Sequence, residues 1–293
     1  MRVTIVGAGL MGAQIGCEYA IGGHDVRVHA RDVGRARQRV EDGFALLEAH
    51  GLCTPDEVRT AARRVSSSAE PAEAASGADL LVESLPEHLD LKASVLRVAL
   101  AEAPDAVVAT NTSSLSITAI GEAIGVPERT VGTHYLNPPL LMPTVEVIAG
   151  ERTAPEVVAL ARETLVALGK LPVVVRRDVP GFVWNRLQFA LLRECAWLVE
   201  QGVASADDVD TVMREGLARR WRRVGPLRAI ALGGIDTWNR SGRSILPDLS
   251  TARELPDLAG VAIMDGNLAK DAAARDAALA RELREEHSTG VPR

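Results

Sequence analysis

The chain of 293 residues is poor in aromatics, with three Phe, two Tyr and four Trp, 3% of the whole. Few platforms remain for stacking bases. It also lacks a cationic excess: 33 Lys and Arg stand against 39 Asp and Glu, for a formal net charge of −6. A general nucleic-acid binder is usually strongly basic, so no nucleic-acid partner is expected. Cysteine is scarce. Cys17, Cys53 and Cys195 are far apart and odd in number, with no CxxC pair and no zinc spacing. That excludes a disulfide framework, predicts no metal site, and points to a reducing compartment with all three thiols as small buried apolar groups. No stretch approaches the roughly 18 uncharged apolar residues of a membrane span. Met1 to Val6 is strand-like rather than leader-like, so the expected location is cytoplasmic, with no membrane partner.

What is present is 47% hydrophobic and 25% charged residues, the balance of a folded chain. The length suits one large domain or two modest ones and is ample for a core without staples. The first part alternates strand and helix signals. Strands are expected at Val3–Val6, Val26–Ala30, Leu80–Val82, Ala106–Thr110, Val131–Tyr135, Val145–Ile148 and Val173–Val175. Helices are expected at Leu10–Ile21, Val33–Ala49, His88–Ala101 and Val157–Leu168, the last closed by Gly169. This alternation predicts an α/β fold with a mostly parallel, doubly wound sheet. After Pro180 no convincing strand remains. Phe182–Gln201 reads as one long helix. Ser205 with Asp208 forms a variant capping box opening Ala206–Arg214, and Leu258–Glu286 is helical. The expected division is therefore an α/β domain at 1–179 and an all-α domain at 180–293, with a fraying polar tail from Glu286.

The first strand runs into Gly7-Ala8-Gly9-Leu10-Met11-Gly12, a G-x-G-x-x-G between a strand and a helix. Gly7 permits the tight turn, Gly9 lets backbone approach a pyrophosphate, and Gly12 lets helix and strand pack closely. Leu10 and Met11 open the helix whose free N–H groups favour phosphate. The loop predicts a dinucleotide site. The end of the second strand usually carries an acid for the ribose of NAD. Here it falls on Ala30, followed by Arg31 and Asp32. A small residue and then Arg suits the 2′-phosphate of NADP. Asp32 is either a ribose acceptor in shifted register or the cap of the next helix. NADP and NAD both stay open, with a tilt toward NADP.

Four later segments resemble the L-3-hydroxyacyl-CoA dehydrogenase family. They are Glu83-Ser-Leu-Pro-Glu87-His-Leu-Asp-Leu-Lys92, Thr110-Asn111-Thr112-Ser113-Ser114, Gly132-Thr-His134-Tyr-Leu-Asn137-Pro138 continuing to Glu146, and Pro180-Gly181-Phe182-Val183-Trp184-Asn185-Arg186. Gly225-Pro226 and Gly233-Gly234-Ile235-Asp236 add to the match. The resemblance implies a Rossmann-type domain followed by a helical one, and His134 as catalytic acid/base. Imidazole suits removal of an alcohol proton near neutral pH while hydride leaves carbon. Alone, such a histidine is more often a bonded core residue. Glu146, twelve residues on, belongs to a returning antiparallel strand where a carboxylate can hold one ring nitrogen.

By the same resemblance Ser113 and Asn185 contact the substrate around its oxygen, where hydroxyl and amide can polarise a carbonyl. Glu87, Lys92 and Asn137 match contacts to the nicotinamide-side ribose and amide, and Asn111 stands with the cofactor residues. Departures from the family pattern are Thr110 for a serine, Tyr135-Leu136 after the histidine, and Ala30 for the ribose acid. Arg35, Arg37 and Arg39, Arg59, Arg63 and Arg64, and Arg219, Arg220, Arg222 and Arg223 form basic groups. They suit the phosphates of coenzyme A or an acidic acyl carrier protein, though solvated helix faces explain them equally. The implied reaction is hydride transfer between a nicotinamide cofactor and C3 of a 3-hydroxyacyl thioester. A free 3-hydroxy acid, carnitine-like or sugar-acid-like, is the alternative. A non-catalytic dinucleotide-binding protein is a further one. The family implies a homodimer through the helical domain, where Pro226, Leu227, Ile230, Leu232, Ile235 and Trp238 are core or contact residues.

Overall fold

The computed structural model describes residues 1–256 and 268–289. The strands are β1 (Arg2–Val6), β2 (Asp25–His29), β3 (Val65–Ser68), β4 (Leu80–Glu83), β5 (Val107–Thr110), β6 (Thr130–Tyr135), β7 (Thr144–Ala149) and β8 (Leu171–Val175). The helices of the same part are α1 (Leu10–Ile21), α2 (Val33–Ala49), α3 (Pro55–Ala62), α4 (Pro71–Ala75), α5 (Leu89–Glu102), α6 (Ile117–Ile124) and α7 (Pro155–Ala167). Then follow α8 (Trp184–Glu200), α9 (Ala206–Thr211), α10 (Arg219–Val224), α11 (Pro226–Gly233), α12 (Ile235–Ile245) and α13 (Leu268–Thr289).

The strands form one sheet of eight in the order β3-β2-β1-β4-β5-β6-β7-β8. All neighbours are parallel except β6 and β7. The doubly wound reading holds, and the chain order reverses beside β1, where such sheets place their ligands. Central strands are buried apolar runs, as in Leu80-Leu81-Val82, because helices cover both faces. The strand and six helices that patterning did not mark are β3, α3, α4, α6, α10, α11 and α12. Val65-Ser66-Ser67-Ser68 pairs with β2 alone and so needs little apolar character. α3 is short but strongly capped: Thr54 and Glu57 form a capping box and Pro55 opens the helix.

By contacts the chain forms two compact units, Met1–Asn185 with Ala269–Arg293, and Arg186–Leu268. The expected division puts α13 with the helical domain. In the structure its side chains Ala280 and Leu283 pack with Leu141, inside the first unit. The helix reaches Thr289, past the expected fraying point, and 257–267, the start of that expected helix, lie outside the described residues. Among the described residues no strand follows Val175. The helix expected at Ala206–Arg214 is α-helical only to Thr211 and continues as a π-helix from Val212 to Ala218. Ser205 caps it as expected, accepting from the Asp208 N–H at 3.1 Å. Of the cysteines only Cys17 is buried, its thiol donating to the Val40 carbonyl at 3.3 Å; Cys53 and Cys195 are partly exposed. Among the described residues no helix is long and apolar enough to cross a membrane, and no group of three metal-ligating side chains occurs.

Candidate active site

A cavity of about 680 Å³ opens where β1, β2 and β4 end. Gly7, Gly9, Leu10 and Met11 line one side. The three glycines do different work. Gly7 has φ +106, and a Cβ there meets the Ser84 carbonyl at 2.7 Å. A Cβ on Gly12 meets the Gly7 carbonyl at 1.9 Å. Both positions exclude a side chain because backbone already fills the space. A Cβ on Gly9 meets nothing within 4 Å. Its backbone faces the open cavity at the start of α1, where a helix presents N–H groups and partial positive charge. A pyrophosphate fits that position, and Gly7, Gly9, Leu10 and Met11 would hold it.

Arg31, Asp32, Glu87, Asn111 and Ser113 line the same cavity. Asp32 caps α2, its Oδ1 accepting from the Arg35 N–H at 2.9 Å, and it does so while lining the cavity. Arg35 and Arg39 also line the cavity, a role that spacing alone does not distinguish from that of solvated helix residues. Their i,i+4 separation, which puts both on one helical face, was the available signal. Asn137, exposed at the cis Asn137–Pro138 bond just after β6, is not among the residues that line this cavity. Lys92 does not line the cavity either. It is 1% exposed, and its ammonium donates to Glu83 Oε1 at 2.7 Å and to the Leu85 carbonyl at 3.2 Å, with Glu87 Oε2 at 3.2 Å. A buried ammonium has three protons to place, and these acceptors take them. Lys92 therefore reaches the cavity through Glu87 rather than directly.

Burial raises the Glu83 carboxyl, against the pull of Lys92 and the Thr110 hydroxyl. Glu87 behaves oppositely. Burial alone favours its acid form, but the Thr112 hydroxyl at 2.6 Å, Lys92, and the Ser113 and Ser114 N–H groups at 2.9 Å hold its pKa at about 2. Glu87 thus clamps the turn after β5 and sets where Ser113 sits. Asn111 clamps the same turn from within, its Oδ1 accepting from the Tyr135 N–H at 2.8 Å.

His134 and Glu146 face each other directly in the antiparallel register of β6 and β7. His134 Nδ1 lies 2.7 Å from Glu146 Oε2, and both side chains are buried. The other carboxylate oxygen, Oε1, accepts from the Val183 and Trp184 N–H groups, each at 2.9 Å. Burial opposes ionisation of Glu146, but the His134 hydrogen bond and the two N–H groups lower its pKa below the ordinary value. The segment Pro180–Asn185 makes this possible. Gly181 has φ +76 and Phe182 φ +48, a left-handed turn that aims two successive N–H groups at one oxygen. A positive φ is strained for a bulky residue. Phe182 holds it by complete burial, with its ring 5.7 Å from the His134 ring. The expected helix from Phe182 accordingly begins at Trp184. Asn185 Nδ2 then donates to the Ser113 carbonyl at 3.1 Å. One network runs from His134 through Glu146 and the Trp184–Asn185 backbone to Ser113 and Glu87, joining the dyad to the cavity.

A neutral imidazole whose Nδ1–H is given to a carboxylate keeps its Nε2 lone pair for a proton. Set beside a dinucleotide cavity, that is the equipment of an alcohol or carbonyl oxidoreductase. The family model for the 3-hydroxyacyl-CoA dehydrogenase NAD binding domain matches residues 2–179, and that for the C-terminal domain matches 181–277. The chain belongs to the 3-hydroxyacyl-CoA dehydrogenase family.

It is similar to a 5-formyl-3-hydroxy-2-methylpyridine 4-carboxylate 5-dehydrogenase of Mesorhizobium japonicum, at 39% identity over 255 residues, 85% of this chain and 81% of that one. It is 38% identical over 205 residues to an L-carnitine dehydrogenase of a Pseudomonas species, covering 70% of this chain and 63% of that longer protein. Among solved structures, an NAD+-dependent dismutase described as a 5-formyl-3-hydroxy-2-methylpyridine 4-carboxylic acid 5-dehydrogenase matches at TM-score 0.86 and 34% identity, over 97% of each chain. A (S)-3-hydroxybutyryl-CoA dehydrogenase of Ralstonia eutropha matches at TM-score 0.68 and 29% identity, over 74% of this chain and 77% of that one. As a member of this family the protein is an NAD(P)-dependent oxidoreductase.

Proposed function

We propose that the protein is an NAD(P)-dependent dehydrogenase of a small free hydroxy acid, or a reductase of the corresponding carbonyl compound. The observation that carries the chemistry is the buried His134–Glu146 pair at 2.7 Å, with Glu146 fixed by two further N–H donors. A bound NAD(P)+ supplies the acceptor for the hydride that leaves the alcohol carbon. His134 takes the hydroxyl proton at Nε2. Glu146 holds the ring orientation and stabilises the imidazolium that forms. Ser113 lies on the turn that Glu87 clamps, and Asn185, in the first turn of α8, donates to its carbonyl; the Ser113 hydroxyl and the second Asn185 amide proton polarise the substrate oxygen without competing for the proton.

The free-acid reading draws on the relatives named for a pyridine carboxylate and for L-carnitine, the first of which covers most of this chain. The acyl-thioester reading draws on the family models and on the hydroxybutyryl-CoA enzyme, and it is the second choice. Reduced-cofactor absorbance with a panel of free 3-hydroxy acids, pyridine carboxylates, 3-hydroxyacyl-CoAs and carrier-bound acyl groups separates them. Turnover on the thioesters alone refutes the free-acid reading. We also propose that the unit Arg186–Leu268 pairs with a second copy. It leaves Leu227 80%, Leu232 70% and Ile235 60% exposed, large apolar side chains that a second copy would take out of water. Sedimentation at micromolar concentration giving a mass near 31.2 kDa overturns the dimer.

A further inference from the structure

The cavity holds more positive charge at one end than the proposed reaction uses. Arg31, Arg35 and Arg39 all line it, beside the end of β2 and the first turns of α2. Arg37, between them in sequence, does not. Among the described residues none of the three forms an ion pair. Arg39 is partly buried and Nη1 donates to the Ala8 carbonyl at 2.7 Å, which brings its guanidinium against the glycine loop. Its remaining N–H groups have no partner among the described residues.

The acceptors at this end are few. Ala30 occupies the position after β2 and offers no carboxylate. Asp32 is the one carboxylate beside the arginines, and its Oδ1 is engaged as the cap of α2. Glu87, the other acid lining the cavity, is spent on the turn after β5 and on Lys92. A plain ribose asks for an acceptor for its 2′- and 3′-hydroxyls. This end offers guanidinium donors instead, the groups that match a phosphate in charge and in forked geometry. Three like charges around one space also repel, and a dianionic group between them removes that cost.

We propose that Arg31, Arg35 and Arg39 form a site for the 2′-phosphate of an adenosine ribose, so that the protein prefers NADP to NAD. The proposal rests on the reading of the cavity as the dinucleotide site. It needs no knowledge of the substrate, and calorimetric titration of the full chain with NADP+ and with NAD+ tests it. NADP+ binds at least about tenfold more tightly, and raising the salt narrows the gap. Arg35→Gln weakens NADP+ by about tenfold and NAD+ by less than about twofold, since a charge-assisted contact to phosphate is lost and nothing else. Ala30→Asp reverses the preference, because a carboxylate there accepts ribose hydroxyls and repels phosphate. A gain of NAD+ affinity also shows that the variant is folded. Arg39→Gln lowers NADP+ affinity more than NAD+ affinity. An equal loss of both cofactors limits Arg39 to bracing the glycine loop and removes it from the site. Wild-type protein that binds NAD+ as tightly as NADP+ overturns the proposal and leaves the dinucleotide cavity standing. Protein that binds neither overturns both.

Discussion

Replacing Glu146 with glutamine changes one atom type and leaves volume alone, so its effect isolates the charge and the donor pattern of the dyad. The carboxylate accepts three hydrogen bonds: from His134 at 2.7 Å on one oxygen, and from the Val183 and Trp184 N–H groups at 2.9 Å on the other. A glutamine has one acceptor oxygen and one NH2. If the NH2 faces the two backbone N–H groups, both lose their acceptor in a buried setting, at about 1–3 kcal/mol each. The amide oxygen therefore stays with Val183 and Trp184, and the NH2 turns to His134. His134 Nδ1 must then accept, which puts the ring proton on Nε2, where the substrate's proton has to go. Loss of the working tautomer in a comparable histidine–carboxylate pair lowers kcat by roughly 10⁴-fold. We expect a fall of about 10³–10⁴ in kcat for Glu146→Gln, or roughly 4–5.5 kcal/mol of barrier. Neither residue lines the cofactor cavity, so NAD(P)+ affinity measured by calorimetry stays within about twofold. Reduced-cofactor absorbance with the best substrate of the panel gives the rate. A kcat within tenfold of wild type refutes the tautomer argument.

Three further outcomes follow from the geometry. Gly9→Ala places a methyl in open space and leaves thermal stability unchanged while dinucleotide binding falls, whereas Gly12→Ala drives a methyl onto the Gly7 carbonyl and lowers the melting temperature; equal melting temperatures for the two contradict the division of labour in the loop. Lys170→Met leaves the buried Glu18 without its partner at 2.6 Å and costs about 3 kcal/mol in urea unfolding at neutral pH. Burial raises the Glu18 pKa, so this cost shrinks as pH falls and the carboxyl takes a proton; a cost independent of pH speaks against a stranded charge. Glu87 is held at about 2 against an ordinary 4.5, so its contribution to stability is present above 4.5 and fades as pH falls toward about 2. Glu87→Gln lacks that contribution, and the stability difference between variant and wild type closes over that window; a difference that stays open there removes the assigned role.

Much of the catalytic half was legible from local pattern. The glycine loop, the alternating elements and the twelve-residue step from His134 to Glu146 follow from neighbours in sequence, and the antiparallel register confirms that step. What patterning did not mark was short or polar. β3 carries three serines and sits beside one partner, so it shows no alternation of apolar residues. The Phe182 turn breaks the apparent helix because Glu146, 36 residues earlier, collects the N–H groups that a helix start leaves free. Lys92 matches a cofactor contact by its place in the sequence, but Glu83, Leu85 and Glu87 take its protons in the fold.

The sequence by itself determined the kind of chemistry: a dinucleotide loop, an acid/base histidine, its carboxylate, and the family that carries them. Those signals are short-range, since turn geometry, strand period and helix capping depend on residues close along the chain. Only the tertiary structure decided which charges share a space. It gave Asp32 a helix to cap at the edge of the cavity, and it separated Arg35 and Arg39 from Arg37 by turning one face of α2 toward the cavity. It also moved the last helix onto the first unit by packing Ala280 and Leu283 against Leu141, more than a hundred residues away. Burial and the sharing of acceptors are properties of space, and a linear pattern does not contain them.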